Sequence, residues 1–415
     1  MSKPVIGFAG MTHLGVNSAA AAAARGFRVV GYDADAAVIA ALRAGKPPVL
    51  EPGLEQALRK HARRLSFASS LDALSECDLV YLSADVPTDD AGGSDLAPIR
   101  RLIRSVKPVL GKKAVLVILC QVPPGFTRGL GMPAYYQVET LVFGRAYERA
   151  LKPERFIIGC DDPGAPLQKN LETFLRAFGC PILPMRYESA ELAKIAINCC
   201  LVSSVSVANT LAELCERIGA DWSEIVPALK LDARIGPGAY LSPGLGIAGG
   251  NLERDLATVV RLAAEQGTDA GVVKAWIANS RHRRDWAART IRRLVLEKDP
   301  AALIAVWGLA YKENTHSVKN SPSLATLAQL GEAKLRLHDP AVRIDRHETF
   351  EKPLEAAQGA DALMILTPWP QYRAIAPAEI RRALRGRIVL DPYAVLDRAL
   401  AAKAGLEVHT LGRHA

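Results

Sequence analysis

The sequence predicts an α/β fold in which two parallel-sheet domains are joined by a long helix and a helical segment. Three observations carry this. Over the first 185 or so residues short β-rich runs alternate with helical stretches, from about 187 to 295 the β-rich runs stop, and near 301 the alternation returns. Strands separated by helices read as βαβ units, which set the strands parallel and cover both faces of the sheet. The predicted domains are 1–186, 187–297 and 298–415, and 415 residues is a suitable length for three units.

Taken in order, the first domain runs VIGFAG, an Ala-rich helix, FRVVGYD, a helix at 36–45, DLVYLSA, a helix, AVLVILC ending at Cys120, a helix and RFIIGC. The central segment holds SAELAKIAINCCLVSSVSVANTLAELCERIGA. It is apolar around most of its circumference, which predicts a long helix buried between other elements. The third domain follows with ALIAVWGLA, a helix from about 321, KLRLHDP, DALMILT and RIVLDP. No short-period repeat is visible; the two α/β domains are candidates for a shared general design.

Composition narrows the function classes. With 49% hydrophobic and 23% charged residues the chain reads as an ordinary globular protein. No unbroken apolar run approaches the ~18 residues of a membrane span, and the N-terminus lacks the parts of a signal peptide. A cytoplasmic protein with no membrane partner is expected. Seven cysteines, an odd number without a CxxC pair, argue against a disulfide framework and a zinc site; no metal is expected, and most cysteines should be reduced and buried. The net charge of +9 is spread along the chain apart from RKHARR at 59–64 and RHRR at 281–284. Nucleic acid would ask for a concentrated basic stripe, whereas an anionic small substrate suits this charge.

The string GMTHLG at 10–15 follows a strand and opens a small-residue helix, and Asp33 ends the next strand. This is the setting of a Rossmann-like dinucleotide site. Gly10 makes the tight turn, Gly15 belongs to the same motif, the helix N-terminus receives a pyrophosphate, and Asp33 accepts hydrogen bonds from a ribose. Thr12 occupies the position where glycine normally permits the closest backbone approach. Asp33 would repel a 2′-phosphate, so NAD is expected over NADP. The competing reading is a βαβ turn with no ligand.

Lys194 and Asn198 are four residues apart, on one face of an apolar helix. Buried polar groups need partners. Lys194 could snorkel to solvent and Asn198 bond a loop, or both could serve a reaction. At this point the motifs resemble a family. ELAKIAIN, ANTLAELCERIGAD, LDARIG, YLSPGLGIAGG with its trailing RD, GLAYKENTHSVKNSP and HDP, with EPGL at 51–54 and PERFIIG at 153–159, look like the UDP-glucose/GDP-mannose dehydrogenases over nearly the whole chain. The resemblance implies an NAD-binding N-terminal domain, a homodimer built on the central helix and a C-terminal domain for a nucleotide sugar, a UDP-hexose first. Such enzymes usually oxidise the C6 alcohol to a carboxylate in two NAD-dependent steps. The β-hydroxyacid dehydrogenases also pair a lysine with an asparagine, but at K-x-x-N rather than K-x-x-x-N and without a second α/β domain.

The resemblance assigns roles. Lys194 and Asn198 hold the reacting oxygen, where an ammonium would stabilise developing negative charge. Asp255 helps position a water for proton removal; its structural alternative is a helix-N-terminal acid. Glu139 matches a water-binding glutamate, while Phe143 takes the place of a second one. Gln121 replaces a threonine at the same water and joins Pro87, Thr88 and Lys312 beside the cofactor. Arg234 matches an arginine that reaches a neighbouring subunit's substrate. Tyr240, Leu241, Gly246 and Lys319 fall on the substrate side, Lys319 replacing an arginine and losing its fork.

The largest departure lies in GLGIAGGNLERD at 244–255. The family has a nucleophilic cysteine where this chain has Asn251, and an amide cannot capture an aldehyde as a thiohemiacetal. Cys199 and Cys200 are expected in the core. Asn251 reads as a helix N-cap with its side chain on the first-turn amides, Gly267 closing that helix. The sequence therefore predicts a two-electron oxidation to an aldehyde or ketone. The alternatives are a four-electron oxidation through a hydrate, and a non-catalytic binder.

Overall fold

The computed structural model describes residues 3–87, 89, 93–345 and 347–414; Thr88 lies outside them. The chain packs as two compact units, Met1–Ile197 and Asn198–Ala415. The helical segment has no unit of its own: its first turns pack with the first unit, the rest with the second.

The first unit is built on β1 (Val5–Ala9), β2 (Arg28–Tyr32), β3 (Leu65–Ala68), β4 (Leu79–Leu82), β5 (Val115–Ile118), β6 (Tyr135–Gln137), β7 (Phe156–Cys160) and β8 (Ile182–Arg186). They form one sheet in the order β3-β2-β1-β4-β5-β6-β7-β8, and only β6 against β7 is antiparallel. Successive side chains enter opposite cores. Ile6, Phe8 and Tyr81 pack with the helix His13–Ala24, whereas Val80, Leu82 and Ile118 pack with the helix Ala97–Val106. Both faces are dry, which is why these strands read as nearly continuous apolar runs. From β1 the chain moves to β2 on one side and later to β4 on the other. The crevice outside the carboxyl ends of β1 and β4 is thus the topological switch point where such sheets receive ligands.

The second unit repeats the plan with β9 (Leu303–Trp307), β10 (Lys334–His338), β11 (Glu348–Thr349), β12 (Ala362–Ile365), β13 (Ile388–Leu390) and β14 (Glu407–His409). Its order is β11-β10-β9-β12-β13-β14, parallel throughout. The shared design extends to single hydrogen bonds. Gly10 follows β1 and donates its amide to Tyr32 O at 2.8 Å; Gly308 follows β9 and donates to His338 O at 2.8 Å. The aspartate ending the second strand takes turn amides in both units, Met11 N on Asp33 at 2.8 Å and Leu309 N on Asp339 at 2.6 Å. Asp78 and Asp361, entering β4 and β12, accept the first amides of β1 and β9 at 2.8 and 2.9 Å.

The helix Tyr187–Ile218 is 32 residues long, and it departs from the expectation of all-round burial. Val207, Leu211, Leu214 and Ile218 are 41–65% exposed, and their spacing places them in one stripe. The apolar character that suggests a core helix here belongs partly to an uncovered surface. By length and composition alone the same helix could also cross a membrane, a property that a search for unbroken apolar runs does not register. Further along, Gly412 donates its amide to Glu216 at 2.9 Å and accepts that of Trp222 at 2.9 Å, so residues beyond β14 return to the end of this helix.

Asp339 is fully buried and takes amides from Leu309, Ala310, Ala341 and Val342 and the Trp369 indole N–H at 2.6–3.1 Å. Asp339→Ala should cost about 3 kcal/mol or more by stranding buried donors. Asp33→Ala removes two amide bonds at a part-exposed site and should cost about 1 kcal/mol. Urea unfolding of the two variants checks the order.

Candidate active site

The dinucleotide turn is shaped by absent side chains. Gly10 has φ +103°, and a Cβ there would lie 2.6 Å from Ala84 N; on Gly15 it would lie 1.9 Å from Gly10 O. Neither position tolerates a side chain. Thr12, at the N-cap of His13–Ala24, makes no side-chain cap. Its hydroxyl instead donates to Ser83 O at 3.0 Å and Asp85 at 3.2 Å, folding back from the helix amides. No acid stands in the first helical turn, so the N-terminus offers its amides and partial positive charge to an anion. Asp33 uses one oxygen for Met11 N and the other for Asp35 N; each keeps a lone pair for a ribose hydroxyl. These residues fit NAD. Pro87 anchors its loop through its carbonyl to Asp95 N at 2.9 Å.

On the central helix Lys194 is 7% exposed. Its Nζ sits 3.0 Å from Glu139 Oε1, so the snorkelling account fails. Glu139, just past β6, is oriented by accepting Leu141 N at 2.8 Å. One turn earlier, the buried Glu191 accepts Gly125 N at 2.6 Å and Thr127 N at 2.8 Å, which fixes the loop following Gln121 against the helix. Asn198, one turn after Lys194, donates to Asp255. Asp255 is 1% exposed and lies 3.6 Å from the Arg254 guanidinium. The helix therefore presents a paired ammonium and, one turn on, an amide holding a carboxylate.

Sequence reasoning missed His13, although it lies in the glycine motif. Its ring stacks on Phe143 at 3.9 Å between centroids and its Nε2 is 3.5 Å from Glu51. Burial lowers its pKa against the opposing pull of Glu51 and Glu139. Glu51, from EPGL, also accepts Gly144 N and Ala146 N at 3.1 and 2.7 Å. The signal was an aromatic and a histidine occurring together with two carboxylates, and only the fold joins them.

The Asn251 segment corrects one expectation. Gly250 holds the N-cap, Asn251 is the exposed first residue of the helix Asn251–Gln266, and no side-chain cap forms. Because the helix begins one residue earlier than a capping asparagine requires, the Asn251 side chain lies past the cap position and is exposed; Gly267 closes the helix in a left-handed conformation as expected. The loop before it is tied to the Lys319 segment, with Gly249 N on Lys319 O at 3.2 Å and Asn320 on Gly249 O at 3.0 Å. Lys312 packs over the Tyr311 ring, and that ring stands 3.2 Å from where a Cβ on Gly249 would lie. Leu241 is buried with its carbonyl on the Trp222 indole at 2.7 Å. Gly246 has φ +77° with Ser280 O 2.4 Å from its would-be Cβ, while Tyr240 is exposed. Arg234 is 89% exposed and paired with Asp232 at 2.6 Å, apart from the buried pairs.

The cysteines also correct an expectation. Cys200 is exposed and Cys199 half-buried, not core. Burial and the nearby Asp255 push the Cys199 thiol up to about 11, the opposite of an activated nucleophile.

A cradle for a dinucleotide at a sheet switch point, in a unit that also holds the buried Lys194–Glu139 pair, has the form of an NAD-dependent oxidoreductase. The chain belongs to the UDP-glucose/GDP-mannose dehydrogenase family, whose NAD binding domain matches residues 5–166, central domain 188–281 and UDP binding domain 305–398. It is 30% identical to the UDP-glucose 6-dehydrogenase YwqF of Bacillus subtilis, covering 94% of this chain and 93% of that one. It is 28% identical to a UDP-glucose 6-dehydrogenase of Pseudomonas aeruginosa, covering 97% and 96%. A UDP-glucose dehydrogenase structure from Pyrobaculum islandicum superposes with TM-score 0.86 at 28% identity, covering 100% and 98%. The protein oxidises a CH–OH group of a nucleotide sugar with NAD.

Near neutral pH, iodoacetamide should modify Cys200 and spare Cys199; peptide mass spectrometry reads this, and equal labelling would contradict the unactivated thiol. Asp255→Asn preserves shape but removes the carboxylate, and should lower kcat at least about a hundredfold while the melting temperature stays within a few degrees.

Proposed function

We propose that the protein carries out a two-electron oxidation of a UDP-hexose, at C6, and releases the aldehyde or its hydrate; on a secondary hydroxyl the same chemistry would give a ketone. The observation that carries this reading is Asn251, an exposed amide at the start of its helix. An amide cannot form the thiohemiacetal that a second oxidation through a thioester requires, and Cys199 is held as a thiol.

The first oxidation asks for less. NAD, bound at the Gly10 turn, supplies a hydride acceptor. The substrate C–H bond gives its electron pair away as hydride, and the hydroxyl proton leaves to a base. Lys194, held by Glu139, offers a localised positive charge to the oxygen as it becomes alkoxide-like. Asp255, oriented by Asn198, is the proton acceptor, directly or through one water. The balance is one alcohol and one NAD giving one carbonyl, one NADH and one proton.

UDP-glucose is the leading sugar because the relatives above carry that name. A UDP-D-ManNAc dehydrogenase of Pyrococcus horikoshii with the same fold keeps other UDP-hexoses in view. The relatives' names also support a second reading, oxidation to the uronate through a hydrate that gives up a second hydride. We further propose a homodimer formed along the central helix, supported by the exposed Val207, Leu211, Leu214 and Ile218, whose spacing follows a helix-pairing seam. Arg234, exposed and clear of this chain's own buried pairs, suits a role toward the partner's substrate.

A panel of nucleotide sugars with NAD, followed by NADH yield and product mass, tests the reaction. One NADH per sugar and a product lighter by two hydrogens, or that product plus one water, is expected; two NADH with a uronate would replace this reading with the four-electron one, and saturable binding with no NADH would make the chain a binder. Asn251→Cys should raise uronate yield or trap a covalent adduct. Leu211→Asp should halve the mass measured by light scattering if the stripe is the dimer seam.

A further inference from the structure

Within the second unit lies a cleft of about 450 Å³, formed by the end of the central helix, the helix Gly271–Arg284, the turns after it and the segment around β14. Its volume falls in the range of small-molecule pockets, roughly 300–1,000 Å³. None of the residues assigned to cofactor or sugar lines it.

Its charge is unbalanced. The two acids on its wall are already engaged. Glu213 pairs with His282 at 2.8 Å and with the fully buried Arg283 at 3.3 Å; Glu216 takes Arg283 at 2.9 Å, Gly412 N at 2.9 Å and the Trp286 indole at 3.3 Å. Arg413 is bound to Asp221 at 3.1 Å, and His409 to Glu407 at 2.8 Å. Four arginines remain on the wall. Arg289 meets only the His282 carbonyl, while Arg217, Arg293 and Arg398 have no hydrogen-bond or ion-pair partner among the described residues. They come from three separate stretches of chain. Arg217, Arg289 and Arg293 stand in the last turns of their helical elements, where a cation suits the C-terminal dipole; Arg398, the first residue of the helix Arg398–Lys403, has no such explanation.

We infer that this cleft is a binding site for a small oligophosphate, an anion with two or more linked phosphates. Guanidinium forks match phosphate oxygens bidentately, and several of them around one cleft suit a multiply charged ligand better than a single carboxylate. Occupancy would tie the central helix to the β14 segment.

Inorganic triphosphate is the probe, titrated calorimetrically into the full-length protein with NAD and UDP held saturating so that the nucleotide sites are filled. One site per chain with Kd below about 1 mM, weakening as salt is raised, is expected. Arg293→Ala with Arg398→Ala should weaken binding at least about tenfold, while the KM for NAD stays unchanged. ATP binding no worse than triphosphate would mark a nucleotide as the source, and triphosphate alone an inorganic one; both support the site. No saturable binding, as when a second copy covers the cleft, or equal binding by the double variant, overturns it.

Discussion

A sharp turn leaving the middle strand of a parallel sheet is the constraint on which the rest depends. The chain must turn sharply at the first residue after the strand, which takes φ near +100° in both units, and an amide left at the bottom of the turn must find an acceptor. In both units that acceptor is the aspartate at the end of the neighbouring strand. The arrangement leaves the first unit a helix N-terminus with no acid in its first turn, and an aspartate that accepts one amide on each oxygen. In the second unit the corresponding aspartate is fully enclosed and saturated with amides and an indole, which leaves it a structural part. One device has thus been specialised in two ways by how much solvent reaches a carboxylate.

The central helix carries the candidate reactive groups, and burial decides how they are held. A buried ammonium and a buried carboxylate each need a close partner. Lys194 has Glu139 and Asn198 has Asp255, in register on one helix face. In the proposed reaction, pairs already formed in this way would need little rearrangement as charge develops on the sugar oxygen.

The two sheets and the long helix were legible in the sequence because their signals are local: apolar strands covered on both faces, a glycine turn, a 3.6-residue period. Strands β3, β6, β8, β11 and β14 were not. They are two to five residues long, and β8 is an edge strand containing Pro184, so none offers a sustained pattern. The same divide holds in the site. Lys194, Asn198 and Asp255 could be chosen from spacing and family motifs, but that Glu139 would meet Lys194, or that His13 would stack on Phe143, depends on tertiary packing between segments more than a hundred residues apart in the His13 case. Asn251 shows the smallest scale of miss. A capping side chain and the first helical residue differ by one position, and backbone dihedrals rather than residue preference decide between them.

The return of Gly412 to Glu216 joins residues 196 positions apart, and this has a kinetic meaning. The last turns of the central helix and the start of the helix Trp222–Leu231 obtain their final partners only from sequence beyond β14. Contacts of such long range close late, since the loop entropy is spent before they form. The first unit draws on sequence that has left the ribosome by residue 197 and can consolidate during synthesis. The helical segment instead waits for distant sequence, and its uncovered apolar stripe is exposed to other chains throughout that interval.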